Sequence, residues 1–299
     1  MSHSILVHGG AGERVADDDP KMPAEGCLAA ARAGHAVLSK GGSALDAVIA
    51  AVRVLEDDPQ FNAGTGSTLN SDGDVETDAS VMTGEGGAGA VAALRDVKNP
   101  IVVARLVMEK TPHVVLSGEG ARRFAAEQGI SMLPPGAMVI PAARERWQKA
   151  VAERAKPSGH GTVGAVACDG QGRVAAATST GGTFMKLPGR LGDTPQIGAG
   201  TYAEAGAGAV SCTGLGEAII KSALSFQMVR AMRGGTPISA LATELCEELT
   251  RFNGKGGLIA VAPDAKLGHG FNTARMARGW VDRDGNAWCG FGVGDDRQL

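Results

Sequence analysis

Apolar residues form short runs bounded by Gly, Asp and Asn, and these runs alternate with longer stretches rich in Ala, Leu and Glu. Short runs are typical of buried strands and longer stretches of helices. The pattern predicts strands at Ile5–His8, Val75–Thr83, Gly86–Leu94, Val114–Leu116, Val163–Cys168, Val174–Thr178, Ala209–Cys212, Leu258–Ala262 and Gly279–Cys289. It predicts helices at Ala24–Ser39, Ala44–Leu55, Ile101–Glu109, Gly118–Glu127, Ala218–Met232 and Ile238–Phe252. Strands in both halves with helices between them indicate sheet layers covered by helices.

The stretch from His160 to Gly182 has the most informative pattern. Two apolar runs flank the turn at Asp169–Gly172, which is a hairpin signal. The preceding segment, Arg144–Gly159, is polar with a helical composition and ends in Lys-Pro-Ser-Gly, a composition typical of exposed linkers. An accessible linker that leads through a Gly-Thr bond into a buried strand predicts self-cleavage between Gly161 and Thr162.

The chemistry of that junction supports the prediction. A hydroxyl is a poor nucleophile unless a base takes its proton. Cleavage would give Thr162 a free α-amino group beside its own Oγ, and such an amine has a pKa of about 7.7–8.0, so part of it is neutral near pH 7. Gly161 lacks a Cβ and can adopt the strained backbone that the attack needs. The alternative is that Thr162 simply begins a strand, for which Thr has a high propensity.

Composition narrows the class of protein. The 299 residues carry a formal charge of −3 without a basic stripe, which argues against binding to nucleic acid or to an anionic membrane. Five scattered cysteines with no metal-ligand spacing indicate free thiols in a reducing compartment. The N-terminal apolar run is too short for a signal peptide, and no run reaches the ~18–20 residues of a membrane span. We expect a cytoplasmic protein.

Two further motifs are a loop that could bind a cation and a glycine pattern typical of dinucleotide binding. The loop that contains Leu55, Glu56, Asp58, Phe61, Ala63 and Thr65 offers many backbone carbonyls, the hard ligands that a cation prefers, although a solvated acidic loop is the alternative. Gly84–Gly89 matches a dinucleotide-binding glycine pattern, but a glycine-rich chain produces that pattern by chance and no βαβ context follows. The six histidines form no ligand pair at helical spacing, which argues against a catalytic transition metal.

Six segments, taken together, define a family pattern. They are Gly9-Gly10, Phe61-Asn62-Ala63-Gly64, Gly161-Thr162-Val163-Gly164-Ala165-Val166-Ala167, Thr178-Ser179-Thr180-Gly181-Gly182, Leu187-Pro188-Gly189-Arg190-Leu191-Gly192-Asp193 and Ser211-Cys212-Thr213-Gly214-Leu215-Gly216-Glu217. In content and order they closely resemble the isoaspartyl peptidase/L-asparaginase family, the plant-type asparaginases among the N-terminal nucleophile hydrolases. The resemblance covers nearly the whole chain and departs mainly in Ala125–Ser158 and after Trp280.

The resemblance implies a four-layer αββα sandwich made as one precursor domain of residues 1–299. Cleavage would leave an α chain of residues 1–161 and a β chain of residues 162–299, and two such αβ units would assemble into a heterotetramer. It also implies hydrolysis of the side-chain amide of asparagine and of β-aspartyl dipeptides, with no cofactor in catalysis and a structural sodium ion.

Specific residues match the functional positions of the family. Thr162 matches the nucleophile, and Thr180 matches the threonine that holds the nucleophile's amino group. The oxyanion hole corresponds to Thr213 Oγ and the Gly214 N–H. The substrate α-carboxylate would bind Arg190, and its α-ammonium would bind Asp193 and the Gly216 carbonyl. The loop that contains Leu55, Glu56, Asp58, Phe61, Ala63 and Thr65 matches the sodium site of the family. Asn62 and Gly9 match positions near the scissile bond.

Three alternatives remain open. Arg190 and Asp193 could form a surface ion pair, worth only about 0–1 kcal/mol. The chain could be a glycosylasparaginase, although those enzymes usually have Asp where this chain has Gly161 and carry a secretion signal. It could also be an amino-acid-binding relative that never matures.

Overall fold

Two β-sheets stack face to face, and helices cover the outer face of each sheet. A computed structural model describes residues 2–13, 21–155 and 161–299. The predicted linker at residues 156–159 therefore lies outside the described residues. Within the described part of the chain, no helix is long and apolar enough to cross a membrane.

Thirteen strands and eight helices occupy the described residues. The strands are β1 Ser4–Gly12, β2 Thr77–Thr83, β3 Ala88–Leu94, β4 Val115–Ser117, β5 Val163–Cys168, β6 Val174–Thr180, β7 Thr201–Glu204, β8 Gly208–Gly214, β9 Gly256–Val261, β10 Leu267–Phe271, β11 Arg275–Val281, β12 Ala287–Gly290 and β13 Arg297–Gln298. The helices are α1 Lys21–Leu38, α2 Ala44–Asp57, α3 Pro100–Lys110, α4 Gly118–Glu127, α5 Pro141–Ala152, α6 Gly216–Ser222, α7 Leu224–Met232 and α8 Ile238–Glu247.

The larger sheet has nine strands in the order β13-β12-β11-β1-β5-β6-β2-β3-β4, and the smaller has the order β10-β9-β8-β7. Neighbouring strands are antiparallel except β3 and β4, which are parallel. Strand β5, which Thr162 precedes, lies at the centre of the larger sheet between β1 and β6. The predicted cleavage point therefore stands at the end of a central strand.

The four layers follow from where the apolar residues are buried. Leu6, Val166 and Ile259 belong to the core between the two sheets. A second core lies between the larger sheet and α1–α3, and a third between the smaller sheet and α6–α8. Every residue of β5, β6 and β8 is buried, because these strands are covered on both faces. The expected αββα sandwich is confirmed.

The prediction of one helix over Ala218–Met232 is wrong. The structure contains α6 and α7, separated by Ala223 in the left-handed region with φ of 49°. The break persists because the first N–H groups of α7, at Ser225 and Phe226, donate to the carbonyls of Ala199 and Gly198. Tertiary hydrogen bonds thus replace the ones that a continuous helix would make.

Candidate active site

Thr162 and Thr180 meet at the ends of adjacent strands. Thr162 is only 5% exposed, and its Oγ1 donates to Thr180 Oγ1 over 3.3 Å. Thr180 Oγ1 donates in turn to the Gly161 carbonyl oxygen at 2.9 Å and accepts from the Gly182 N–H at 2.9 Å. The Thr180 hydroxyl thereby uses one donor and two acceptor positions, its full capacity. Its orientation toward Gly161 and Thr162 is fixed.

The side chain of Asn62 holds the same carbonyl from the other side. Its Nδ2 donates to the Gly161 oxygen at 2.8 Å and to the Gly182 oxygen at 2.7 Å. Its Oδ1 accepts from the Thr68 N–H at 2.8 Å, so the amide cannot turn without losing a bond. The Gly161 oxygen thus receives two preorganised donors, the arrangement that stabilises a developing oxyanion.

The glycines after His8 form part of strand β1. The pairing of β1 with β11 shifts in register between His8 and Ala11. Gly9 packs against the Phe61 ring, where a Cβ would collide with it. Gly10, with φ of 107°, approaches the junction: a Cβ there would lie 3.2 Å from the Gly161 Cα. Gly10 therefore lies close to the junction, and the match of Gly9 to a position near the scissile bond stays a prediction.

Thr213 and Gly214 end strand β8 of the smaller sheet. Thr213 is fully buried, and its Oγ1 accepts from the Ala11 N–H of β1 at 3.2 Å. Gly214 has φ of 140°, and a Cβ there would collide with the Gly256 Cα of β9. Only glycine allows this close approach. The contact with Ala11 ties the end of β8 to the larger sheet beside β5.

Arg190, Asp193 and Gly216 are brought together as predicted, but the ion pair differs from the one considered. Arg190 donates from Nε and Nη2 to the two carboxylate oxygens of Glu217, at 2.9 and 2.8 Å. A Cβ on Gly216 would lie 2.9 Å from Arg190 Nη2 and 3.0 Å from Asp193 Oδ1. The alternative of an Arg190–Asp193 surface pair is therefore wrong, and the sequence analysis missed Glu217 as a partner.

Asp193 is buried and carries an unpaired carboxylate oxygen. Its side chain is 3% exposed, and its Oδ2 has no hydrogen-bond partner among the described residues. Burial raises the pKa of Asp193 to about 7. An unsatisfied buried acceptor is costly, and a cationic ligand would remove that cost.

The segment Leu55–Thr65, here called the carbonyl loop, comprises the last residues of α2 and the residues that follow the helix. The carbonyls of Leu55 and Glu56 are among the last four of the helix and have no partner within it, and no basic residue occupies its last turn. A Cβ on Gly64 would collide with the Glu56 oxygen, so this glycine leaves space in front of that oxygen. Hard oxygen atoms at the negative end of a helix dipole fit a cation such as Na⁺.

A cleft of about 820 Å³ opens on the Gly161 side of the junction. Here called the Gly161 cleft, it has a lining that includes Gly10, Asn62, Gly161, Leu215 and Lys255. The start of α5 contributes to the remaining lining. None of Arg190, Asp193 or Gly216 lines it. The Gly161 cleft is therefore separate from the part of the site that Arg190, Asp193 and Gly216 form.

Comparison with known proteins shows the family of the chain. The family model described as Asparaginase matches residues 1–291. The chain belongs to the asparaginase family. It is 44% identical to the isoaspartyl peptidase/L-asparaginase of Bos taurus, over 99% of this chain and 98% of that protein. The proteins of the same name from Xenopus laevis and Homo sapiens are 47% and 45% identical, over 95% and 88% of this chain and 94% and 87% of theirs.

Proposed function

We propose that this asparaginase-family protein cleaves itself before Thr162 and then hydrolyses the side-chain amide of L-asparagine and β-aspartyl dipeptides. The observation that carries the proposal is the Gly161 carbonyl, which two donors hold beside a buried hydroxyl. The names of the relatives agree with both substrates.

In the maturation step, Thr162 Oγ attacks the Gly161 carbonyl carbon. Negative charge develops on the Gly161 oxygen, which Asn62 Nδ2 and Thr180 Oγ1 already contact. The acyl group passes from the Thr162 nitrogen to its oxygen, and water hydrolyses the resulting ester. Residues 1–161 and 162–299 become two chains, and Thr162 gains a free amine.

In the hydrolytic step, the Thr162 amine takes the proton from Oγ as it attacks the substrate's side-chain carbonyl. Thr213 Oγ and the Gly214 N–H stabilise the oxyanion, a contribution of about 10²–10³ in rate per donor. The amine then gives its proton to the leaving nitrogen. Water hydrolyses the β-aspartyl ester and releases aspartate, while Thr180 keeps the amine in place.

Recognition uses the two opposite charges of the substrate's α-carbon. Arg190 binds the α-carboxylate through its planar fork, which Glu217 already orients. Asp193 and the Gly216 carbonyl bind the α-ammonium, whose charge compensates the buried carboxylate of Asp193. Arg190 and Asp193 both lie beside Gly216, so one pocket would bind both charged groups of the substrate.

The remaining features of the proposal concern the assembled protein. Backbone carbonyls of Leu55, Glu56, Asp58, Phe61, Ala63 and Thr65 would hold a structural Na⁺ that fixes the carbonyl loop next to Asn62. The five cysteines, all buried and unpaired, fit a reducing cytoplasm. Two αβ units would associate into a heterotetramer.

The function is tested by measuring ammonia release from L-asparagine and aspartate release from a β-aspartyl dipeptide. Both should be hydrolysed by the self-cleaved protein and neither by Thr162→Ala. N-acetylglucosaminyl-asparagine serves as the third substrate, because preferential hydrolysis of it would support the glycosylasparaginase alternative. An uncut chain that binds aspartate without turnover would support the non-maturing alternative.

A further inference from the structure

We propose that the Gly161 cleft binds the leaving residue of β-aspartyl dipeptides, and that Lys255 pairs with that residue's α-carboxylate. The inference rests on the proposed function and deepens it. It concerns the half of the dipeptide that Arg190 and Asp193 do not bind.

The position of the proton donor determines the side on which the leaving residue lies. The leaving nitrogen receives its proton from the Thr162 amine, and in the uncut chain that amine nitrogen is bonded to Gly161. Space on the Gly161 side of Thr162 therefore lies within reach of this proton donor. Gly10, Asn62 and Gly161 line the cleft at this point.

The cleft is large enough for an amino acid with its side chain. Its volume of about 820 Å³ lies in the range of about 300–1,000 Å³ found for small-molecule sites. Its lining includes three cationic residues, Arg146, Lys255 and Arg275, and one acidic residue, Glu13, among the described residues. A leaving residue with a free carboxylate matches this excess of positive charge.

Lys255 stands beside the oxyanion donors. Its carbonyl accepts from the Leu215 N–H at 2.9 Å, and a Cβ on Gly214 would lie 2.5 Å from that carbonyl oxygen. The backbone of Lys255 is therefore fixed next to the position where the scissile carbonyl would lie. Lys255 is also one of the residues that line the cleft.

The ammonium of Lys255 can exchange its present partner for a substrate. Its Nζ lies 2.7 Å from Glu13 Oε1, and the two side chains are 61% and 63% exposed. Exposed pairs of this kind contribute only about 0–1 kcal/mol. A dipeptide carboxylate that the rest of the site already positions can therefore compete with Glu13.

The test compares β-aspartyl-leucine with its C-terminal amide, using the self-cleaved protein. Wild type should show a kcat/KM for the acid about two- to fivefold above that for the amide, in line with one exposed charge contact. Lys255→Met should bring this acid-to-amide ratio close to one through KM, and Lys255→Arg should restore it. Lys266→Met is the matched control, because Lys266 forms a similarly exposed pair with Asp264 and does not line the cleft.

An unchanged acid-to-amide ratio in Lys255→Met would overturn the inference, as would an equal loss on both substrates. Ammonia release from asparagine separates this failure from failure of the proposed function. If wild type hydrolyses asparagine but the ratio does not respond to Lys255, only the subsite assignment is wrong. If wild type hydrolyses none of the substrates, the proposed function itself is wrong.

Discussion

At the scale of single residues, the role proposed for Arg190 depends on how its guanidinium is oriented. Glu217 accepts two hydrogen bonds from the guanidinium and holds its plane in one orientation. A side chain that is already oriented loses less entropy when a second carboxylate binds. The fork geometry, and not only the charge, should therefore matter for substrate affinity.

Substitution of Arg190 tests this role. Arg190→Ala should raise KM for asparagine about 100-fold, because charged hydrogen bonds contribute roughly 1.5–3 kcal/mol each. Arg190→Lys keeps the charge but not the fork and should still raise KM about tenfold. Steady-state kinetics on both variants measure the effect, and an unchanged KM in Arg190→Ala would remove Arg190 from the binding site.

Asp193 makes the stability of the empty protein depend on pH. Its pKa rises from an ordinary 3.8 to about 7 on folding, so folding favours the protonated form. The resulting loss of stability is absent below about pH 4, grows up to about pH 7 and is constant above. Asp193→Asn removes the charge and should be more stable than wild type at pH 8, by about 1–3 kcal/mol.

Thermal unfolding between pH 5 and pH 8 measures this difference, with activity as the companion readout. The gap between Asp193→Asn and wild type should narrow as the pH falls, while Asp193→Asn loses substrate binding at every pH. A gap that stays constant across this range would show that Asp193 is not the titrating group.

The roles of Thr162, Thr180 and Arg190 stay predictions from the sequence, and each rests on a short local motif that matches the family pattern. Glu217 and Gly10 could not be assigned in the same way. Glu217 meets Arg190 across 27 residues of chain, and Gly10 reaches Gly161 only because β1 pairs with β5. Contacts between distant segments leave no periodic signal in the sequence.

At the scale of elements, long strands and helices could be predicted and short glycine-containing ones could not. Strand β10 was missed because Gly268 and Gly270 remove its side-chain alternation. Those glycines are required by packing: a Cβ on Gly270 would collide with the α8 backbone at Ala242 and Thr243. Strand β7, with four residues, was not predicted, and Gly279–Cys289 contains parts of two strands, β11 and β12.

The carbonyl loop carries the prediction at this scale. Replacing Na⁺ with choline at constant ionic strength should lower the midpoint of thermal unfolding by a few degrees, because a ligand that binds only the folded state stabilises it. Gly66→Ala should abolish the difference between the two salts, since a Cβ there would collide with the Phe61 carbonyl. Gly120→Ala, at a glycine with open space around it and no positive φ, is the control. Equal midpoints in both salts for wild type would contradict a sodium site.

At the scale of the whole molecule, the two predicted chains are interleaved within one sheet. Strand β5 pairs with β1, and β6 pairs with β2, so β-chain strands lie between α-chain strands. The cores on both faces of this sheet also mix residues from the two sides of the junction. Cleavage at Gly161–Thr162 would therefore leave the fold intact.

This interleaving predicts that cleavage changes the covalent structure without separating the chains. The two chains should elute together in size-exclusion chromatography and should unfold in a single transition, because neither retains the complete nine-stranded sheet alone. They should separate only in denaturant. Recovery of a folded α chain or β chain by itself under native conditions would contradict the interleaved arrangement.

The most direct test of the account is the intact mass of the purified protein under denaturing conditions. Wild type should give two chains of roughly 16 and 14 kDa, the shares of the 30.3 kDa chain on either side of the junction, with Thr162 as the new N-terminus. Their masses should sum to that of the precursor plus one water. Thr162→Ala should remain a single chain without activity. A wild-type protein that hydrolyses asparagine while its chain stays unbroken before Thr162 would contradict the mechanism.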